Sequence, residues 1–337
     1  ALELYRFLQS EGSGRQTGTL LSLFPAFCRG REVNDIVRFL AGVALNDNRP
    51  LDPRYLSIII KEFGQRDDLQ TCFRVLEYMT EVLAIDTPTV NTLIWTCANR
   101  SNWELSQEAF GLLETLELEP NLGSYNAMVD CASRLGDVEL VSQWLHRALS
   151  NQVIPNMSTK ELLIRNFCLV GDACTARAVC YAPQKPQGTM DAADLALAVR
   201  HGGQIEDFVF EAPPEDTTCQ IAMRWFIYNA CYAAKQCASK EEHRGVLDQM
   251  RRGVEMASEV VGDLERHLQE HSLSVPAHMI AYISGVAFQL GLGEIGADMR
   301  RRLLIAGHRK VLERHGMASP VLLPHSRGHN ARRRLSL

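Results

Sequence analysis

The segment HLQEH, from His267 to His271, has the spacing in this chain that best suits chemistry. Two histidines four residues apart lie on one face of a helix and can share a metal ion, with Glu270 beside them. The sequence around them is rich in charged residues, which is typical of a surface helix. We therefore interpret these side chains as solvated, with metal binding as the alternative.

Two other short motifs could also carry chemistry. GLGEIG, at 291–296, follows a predicted helix rather than a strand, so it does not fit a phosphate-binding loop. RRLS, at 333–336, matches a basic-directed phosphorylation pattern that is common by chance. The sequence therefore predicts a protein that is not an enzyme and that carries no cofactor, catalytic residue or metal site.

The elements that position side chains repeat every 35 residues over the first 191 residues. Similar residues fall in columns at this spacing: Tyr55, Val90, Tyr125 and Lys160; Asp67, Asn102, Asp137 and Asp172; Asp86, Asn121, Asn156 and Asp191; Pro120 and Pro155. Several columns at one spacing indicate an array of repeated units.

Each unit is predicted to be a pair of helices. SYNAMVDCASRLG, at 124–136, places its apolar residues on one helical stripe. Gly136 suits the left-handed position that ends a helix, and Asp137 can cap the next one. The equivalents of Asp137 are Asp67, Asn102 and Asp172. Because one pair cannot bury its apolar face alone, we predict an all-α solenoid of stacked antiparallel helix pairs over 1–191, with a truncated first repeat.

The pattern weakens after the array. We predict a degenerate repeat or linker over 192–217, where HGGQIEDFVFEAPPEDTT interrupts the spacing. Diverged helical hairpins that cap the array are predicted over 218–318, with a separate small helical domain as the alternative. Their helices are expected at 218–237, 240–271, 275–291 and 294–315. Residues 319–337 are predicted to form a basic, disordered tail.

Composition and charge limit the environment. The 337 residues are 46% hydrophobic, enough for a core, but no run of 18 apolar residues predicts a membrane span. The ten cysteines include no CxxC pair, which favours a reducing compartment over a disulfide framework. Net charge is −5, yet from Met299 onward ten Lys and Arg residues face the single acid Glu313, a net +9 that suits an anionic partner. Because Ala1 already lies in an amphipathic pattern, we expect upstream residues, including any targeting segment.

The period and two segments resemble the pentatricopeptide repeat family. The segments are TVNTLIWTCANRSNWELSQEAFGLLETLELEPN, at 89–121, and SYNAMVDCASRLGDVELVSQWLHRALSNQVIPN, at 124–156. Tetratricopeptide repeats fit less well, because their period is 34 and their Trp and Leu-Gly positions are not matched here. The resemblance implies single-stranded RNA binding, one base per repeat, in a mitochondrion or plastid. The zinc deaminase signature of some family members is absent.

The resemblance also implies which residues read RNA. In the family, the fifth and last residues of each repeat contact the base. With units at 52–86, 87–121, 122–156 and 157–191, those pairs are Leu56 and Asp86, Asn91 and Asn121, Asn126 and Asn156, and Glu161 and Asp191. RNA-binding roles are thus implied for Asp86, Asn91, Asn121, Asn126 and Asn156. The two Asn pairs favour pyrimidines, cytidine first.

The array departs from the family at the second residue of each unit. The family usually has a branched apolar residue there, which sandwiches the base. Here the position is occupied by Pro53, Pro88, Gly123 and Ser158. The two Asn-containing units therefore lack an obvious side chain to hold the base from its face.

Two functions of different class are consistent with the sequence. The first is RNA binding that supports organelle RNA processing, stability or translation. The second is a protein-interaction scaffold in an organelle ribonucleoprotein such as a mitochondrial ribosome. Eight acids against three Lys and Arg residues over 101–160 give a weak electrostatic footprint for phosphates and favour the second. Further upstream repeats in the full-length protein would favour the first.

Overall fold

The computed structural model describes residues 17–47, 52–80, 85–182, 192–201, 217–238, 244–270, 275–306 and 308. Within these ranges it contains fifteen α-helices and no β-strand, as predicted. No helix in the described ranges is long and apolar enough to cross a bilayer. The chain divides into two compact units, Ala1–Asn229 and Ala230–Leu337. The predicted tail, 319–337, lies outside the described residues.

Helix pairs follow one another along the first unit. In chain order the helices are α1 (Thr17–Cys28), α2 (Val33–Asp47), α3 (Arg54–Gln65), α4 (Leu69–Thr80), α5 (Thr87–Ala98), α6 (Trp103–Thr115), α7 (Leu122–Arg134), α8 (Val138–Ser150), α9 (Met157–Val170), α10 (Ala173–Tyr181) and α11 (Ala192–His201). The first helices of successive pairs, α3, α5, α7 and α9, pack against one another, and each also packs against its own second helix. The core lies between these two layers, as expected for stacked hairpins.

Side-chain caps set the start of the second helices. Leu140 donates its backbone N–H to Asp137 Oδ1 at 2.9 Å, and the equivalent bonds to Asn102 and Asp172 are both 3.0 Å. Gly136, just before its cap, has the left-handed φ of 72° that favours glycine. The predicted capping roles of these three residues are therefore confirmed.

The predicted cap Asp67 is wrong, because its neighbour Asp68 caps α4 instead. Thr71 donates its N–H to Asp68 Oδ1 at 3.1 Å, whereas Asp67 has a φ of 64° and pairs with Arg100 at 3.3 Å. Asp68 and Asn102 are only 34 residues apart, so the repeat formed by α3 and α4 is one residue shorter than the two repeats that follow it. This moves the fifth position of that repeat from Leu56 to Ser57.

Arginine side chains connect each repeat to the one before it. The bonds run from Arg66 to Arg31 O (2.8 Å), Arg100 to Gly64 O (2.7 Å), Arg134 to Asn99 Oδ1 (3.1 Å) and Arg165 to Asp130 Oδ1 (3.0 Å). Asp130 is fully buried and also pairs with Arg134 at 2.6 Å. A buried carboxylate needs such partners, so Asp130 fixes two successive repeats relative to each other.

Close approach of α3 and α5 depends on a glycine. A Cβ on Gly64 would lie 2.1 Å from Thr96 Cγ2, and Thr96 is held by its hydroxyl bond to Thr92 O at 2.7 Å. We therefore expect Gly64→Ala to lower the free energy of unfolding by about 1–3 kcal/mol through overpacking. Urea unfolding followed by circular dichroism measures this change.

Gly111 provides the matched control for that substitution. It is exposed in the middle of α6, and a Cβ there would meet nothing within 4 Å. Gly111→Ala should raise the free energy of unfolding by about 0.5–1 kcal/mol, because alanine has the higher helix propensity. Equal effects of the two substitutions would contradict the tight packing at Gly64.

Buried thiols make stability depend on alkaline pH. Burial raises the pKa of Cys28, Cys72 and Cys97 from 9.0 to about 12. Below pH 9 these thiols are protonated in both states, so their stabilising contribution is complete. Between pH 9 and 12 they ionise only when unfolded, so the free energy of unfolding should fall by at most about 1.4 kcal/mol per pH unit per thiol.

The Cys97→Ala variant isolates this effect from other groups that titrate at alkaline pH. We expect its free energy of unfolding, measured in urea from pH 8 to 11, to fall less steeply than that of the parent. An identical slope for parent and variant would show that Cys97 ionises equally in both states.

The regular stacking changes at α11. In the repeat pattern a helix starting at 192 would pack on the first helix α9, but α11 packs mainly against the second helices α8 and α10. Arg200 of α11 pairs with Glu139 of α8 at 2.9 Å. The segment predicted as a degenerate repeat or linker thus begins with a helix that packs on the second-helix layer.

The remaining helices are α12 (Thr217–Ala238), which crosses the unit boundary, and α13 (Arg244–Glu270), α14 (Ala277–Gln289) and α15 (Gly293–Ile305) in the second unit. Where described residues precede a helix, the starts at Ala277 and Gly293 agree with the predicted 275 and 294 to within two residues. The last helix ends ten residues earlier than predicted, because His308 donates its N–H back to Leu303 O at 2.9 Å and closes the helix.

Candidate nucleic-acid interface

The residues that the sequence assigned to RNA binding all lie near the N-terminal ends of first helices. Asp86, Asn121 and Asn156 are the N-cap residues of α5, α7 and α9. Asn91 and Asn126 lie five residues after a cap, on α5 and α7. The structure therefore brings these side chains to one edge of the first-helix layer, repeated at successive repeats.

Asn91 and Asn121, the fifth and last residues of one repeat, are in direct contact. Asn91 Nδ2 donates to Asn121 Oδ1 at 3.0 Å, and Asn91 Oδ1 accepts the hydroxyl of Ser124 at 2.7 Å. Asn121 Oδ1 also accepts the N–H of Gly123 at 2.9 Å. Only 8% of Asn91 is exposed, so this amide offers a small, oriented polar surface.

The next repeat has the same hydroxyl contact around Asn126. Its Oδ1 accepts the hydroxyl of Thr159 at 2.8 Å, and Asn126 is again 8% exposed. Asn156 Oδ1 accepts the N–H groups of Ser158 at 2.9 Å and Thr159 at 3.4 Å. Thus the last residue of each Asn-containing repeat both caps a helix and lies beside the hydroxyl that binds the fifth residue.

The repeat formed by α3 and α4 has different side chains at these positions. Ser57, which takes the fifth position after the one-residue shift, approaches Thr89 with its hydroxyl at 3.4 Å. Thr89 in turn donates its hydroxyl to Asp86 Oδ1 at 2.5 Å. Leu56 is fully buried, so it cannot face a ligand.

Sequence reasoning missed the three hydroxyl residues at this edge: Thr89, Ser124 and Thr159. The signal was present in the spacing, because each follows its N-cap residue by three positions, as in a capping box. The structure confirms that box for Asn121 with Ser124 and for Asn156 with Thr159. The contact to the fifth residue of the preceding repeat is not visible in the local pattern.

Gly123 leaves the Asn91–Asn121 pair uncovered. A Cβ on Gly123 would lie 3.0 Å from Asn91 Nδ2 and 3.1 Å from Asn121 Oδ1. A larger side chain at this position would crowd both amides, so glycine allows the contact between Asn91 and Asn121.

Charge near this edge is mixed. One turn along the first helices beyond the fifth residues come Lys61, Trp95, Asp130 and Arg165. Lys61 is exposed, whereas Asp130 neutralises the guanidinium of Arg165. On the second helices α6 and α8 the exposed acids include Glu104, Glu108, Glu114 and Glu139. Charges of both signs thus lie on the first helices, whereas the charged residues of α6 are all acidic.

Most side chains of the candidate metal segment, at 267–271, lie outside the description. Glu270 ends α13, while His271 and the side chains of His267 and Glu270 lie outside the description. Among the described residues, no group of three His, Cys, Asp or Glu side chains is placed to hold a metal.

Comparisons with known proteins find similarity among solved structures only. No protein-family model and no curated protein matches the chain. Among solved structures it is similar to the pentatricopeptide repeat protein PPR10 from maize, with a TM-score of 0.40 and 13% identity over 94% of this chain and 54% of that one. The complex of PPR10 with an 18-nt psaJ RNA element gives a TM-score of 0.42 and 14% identity over 93% and 51%. The chain spans about half the length of these structures.

Proposed function

We propose that this protein binds single-stranded RNA along the N-terminal edge of its first helices. The observation that carries the proposal is the contact between Asn91 and Asn121, with an amide at the equivalent fifth position, Asn126, one repeat later. Amides repeated at a fixed interval can each meet the edge of one unstacked base. Asp86 and Asn156 complete the same edge at the neighbouring caps.

The magnitude of binding follows from the number of such positions. One base contact contributes about 1–3 kcal/mol, so two repeats give roughly 2–6 kcal/mol. Even the upper value corresponds to a Kd of only tens of micromolar. We infer that further repeats, the basic segment after Met299 or another partner supply the rest of the affinity in the full-length protein.

Equilibrium binding tests this proposal directly. Fluorescence anisotropy should show binding to single-stranded oligo(C) and weaker binding to a duplex of the same length, because a duplex hides the base edges. Affinity should fall with salt if the basic segment contacts phosphates. Equal binding to single strand and duplex, or no binding to either, would contradict the proposal.

The biological setting is proposed from the family resemblance alone. RNA processing, stability or translation in a mitochondrion or plastid is the role that the resemblance implies. Imaging of the tagged full-length protein would test the location, and a uniformly cytosolic signal would exclude it.

One observation favours a second candidate, a scaffold in an organelle ribonucleoprotein such as a mitochondrial ribosome. Exposed acids on α6 disfavour a phosphate backbone on that side and suit a basic protein surface. Co-purification of the full-length protein with ribosomal subunits after RNase treatment would support the scaffold role over direct RNA binding.

A further inference from the structure

Two buried hydroxyls receive a hydrogen bond from one side and pass one on to the other. Asn121 donates its backbone N–H to Ser124 Oγ at 3.1 Å, and Ser124 donates its hydroxyl to Asn91 Oδ1 at 2.7 Å. Likewise, Asn156 donates its backbone N–H to Thr159 Oγ1 at 3.3 Å, and Thr159 donates its hydroxyl to Asn126 Oδ1 at 2.8 Å. In both repeats, therefore, a backbone N–H donates to a hydroxyl, and that hydroxyl donates to the oxygen of the fifth-position amide. We call this pair of hydrogen bonds the relay.

The polarity of this relay is fixed by its first member. A backbone N–H can only donate, so the hydroxyl oxygen accepts there and its own proton remains for one further acceptor. For Ser124 the other oxygen in reach is Asn121 Oδ1 at 3.4 Å, which already accepts the N–H of Gly123 at 2.9 Å. The proton of Ser124 therefore goes to Asn91.

Burial strengthens the relay. Ser124 is fully buried and Thr159 is 1% exposed, so water does not compete for these bonds. Asn91 is held from its other end as well, because Nδ2 donates to Asn121 Oδ1 at 3.0 Å. Rotating the Asn91 amide by half a turn would place its oxygen against Asn121 Oδ1, so that two acceptors would face each other.

We propose that Ser124 and Thr159 are specificity-determining positioning residues for the RNA-binding edge. By engaging the carbonyl oxygens of Asn91 and Asn126, they leave amide N–H groups as what these repeats offer to a base. An N–H matches the ring nitrogen N3 of cytosine, which accepts, and opposes N3–H of uracil, which donates. The inference rests on the proposed RNA binding and gives a physical reason for the cytidine preference that the resemblance implies.

Thr89 provides a matched control for the substitutions of Ser124 and Thr159, because it faces the fifth residue of the repeat formed by α3 and α4. Thr89 occupies the same third position, but it donates its hydroxyl to Asp86, and the fifth residue there is Ser57 rather than an amide. Thr89→Ala removes a comparable buried hydroxyl without freeing an amide to rotate.

Affinities of the whole protein for oligo(C) and oligo(U) test the inference. We expect the parent to prefer oligo(C), by about tenfold for each Asn repeat that is engaged. The Ser124→Ala, Thr159→Ala double variant should lose part of that ratio, because the amide of Asn126 can then rotate to accept from uracil, whereas Asn91 is still held by Asn121. Ser124→Thr with Thr159→Ser should keep the ratio, as should Thr89→Ala.

Several outcomes overturn the inference. A parent that prefers oligo(U), or a folded double Ala variant with an unchanged ratio, shows that the hydroxyls do not set the preference. If the parent binds neither RNA, the proposed function fails. The relay is then judged by unfolding of Asn126→Ala, Thr159→Ala and their combination. Non-additive effects on the unfolding equilibrium, by about two- to tenfold, support the relay, and additive effects overturn it.

Discussion

Trp144→Ala should lower the free energy of unfolding by about 3–5 kcal/mol, the usual range for deleting a large buried aromatic side chain. Trp144 is 6% exposed on α8. Its ring packs edge-on to Phe110 at a centroid distance of 4.8 Å and lies 6.2 Å from Tyr125. Arg147 lies over the same ring at 4.8 Å. One residue thus joins α6, α7 and α8, so its loss opens a cavity between two repeats.

Urea unfolding measured by circular dichroism gives the size of that effect. Leu149→Ala is the control, because Leu149 is on the same helix but 41% exposed. Its effect should stay within about 1 kcal/mol, since little apolar surface leaves the core. Similar losses for both variants would contradict the assignment of Trp144 to the packed interior.

Replacing Asn91 and Asn126 together by Ala should weaken binding to a cytidine-containing RNA by about 2–6 kcal/mol, or 1–3 kcal/mol per site. The substitution removes the N–H donors that are proposed to meet the bases. A purine-substituted RNA should lose less, because the amides are proposed to match pyrimidine edges. Fluorescence anisotropy at fixed salt measures both affinities.

A third Asn controls for nonspecific loss of an amide. Asn151 is exposed at the end of α8, in the second-helix layer, where its side chain donates to Arg147 O at 2.9 Å. Asn151→Ala should leave RNA binding unchanged. Thermal unfolding of the double variant must be followed as well, because the hydroxyls of Ser124 and Thr159 lose their acceptors. A folded double variant that binds every RNA as the parent does would exclude these amides as readers.

Local signals explain why most of the fold could be predicted from the sequence. Asp137 and Gly136 act within one turn of the chain, so their cap and left-handed roles are visible in the order of residues alone. The start of α14 at Ala277, against a predicted 275, shows the precision that apolar spacing allows when no cap residue is recognised. The absence of strands in the described ranges follows from the same helical spacing.

The register of the repeat formed by α3 and α4 could not be predicted from local signals. Asp67 and Asp68 are adjacent, and either residue type can cap a helix. The choice depends on which residue adopts the left-handed conformation, and the structure assigns this to Asp67, with a φ of 64°. A strict 35-residue count therefore selected the wrong aspartate and, with it, Leu56 instead of Ser57.

The surroundings of the Asn side chains were equally hidden from the sequence. Ser124 contacts Asn91 across 33 residues, and Thr159 contacts Asn126 across the same separation. Such contacts depend on how successive first helices stack, which no local pattern reports. The sequence could therefore nominate the amides but not the atoms that hold them.

Mapping of RNA crosslinks onto the protein tests the central claim most directly. The whole protein would be irradiated with single-stranded oligo(C), digested, and analysed by mass spectrometry for peptides that carry a nucleotide. Binding along the N-terminal edge of the first helices predicts adducts within Asp86–Asn91 and Asn121–Asn126, which disappear when unlabelled oligo(C) is in excess. Adducts confined to the second helices α6 and α8, with none on α5 or α7, would contradict it.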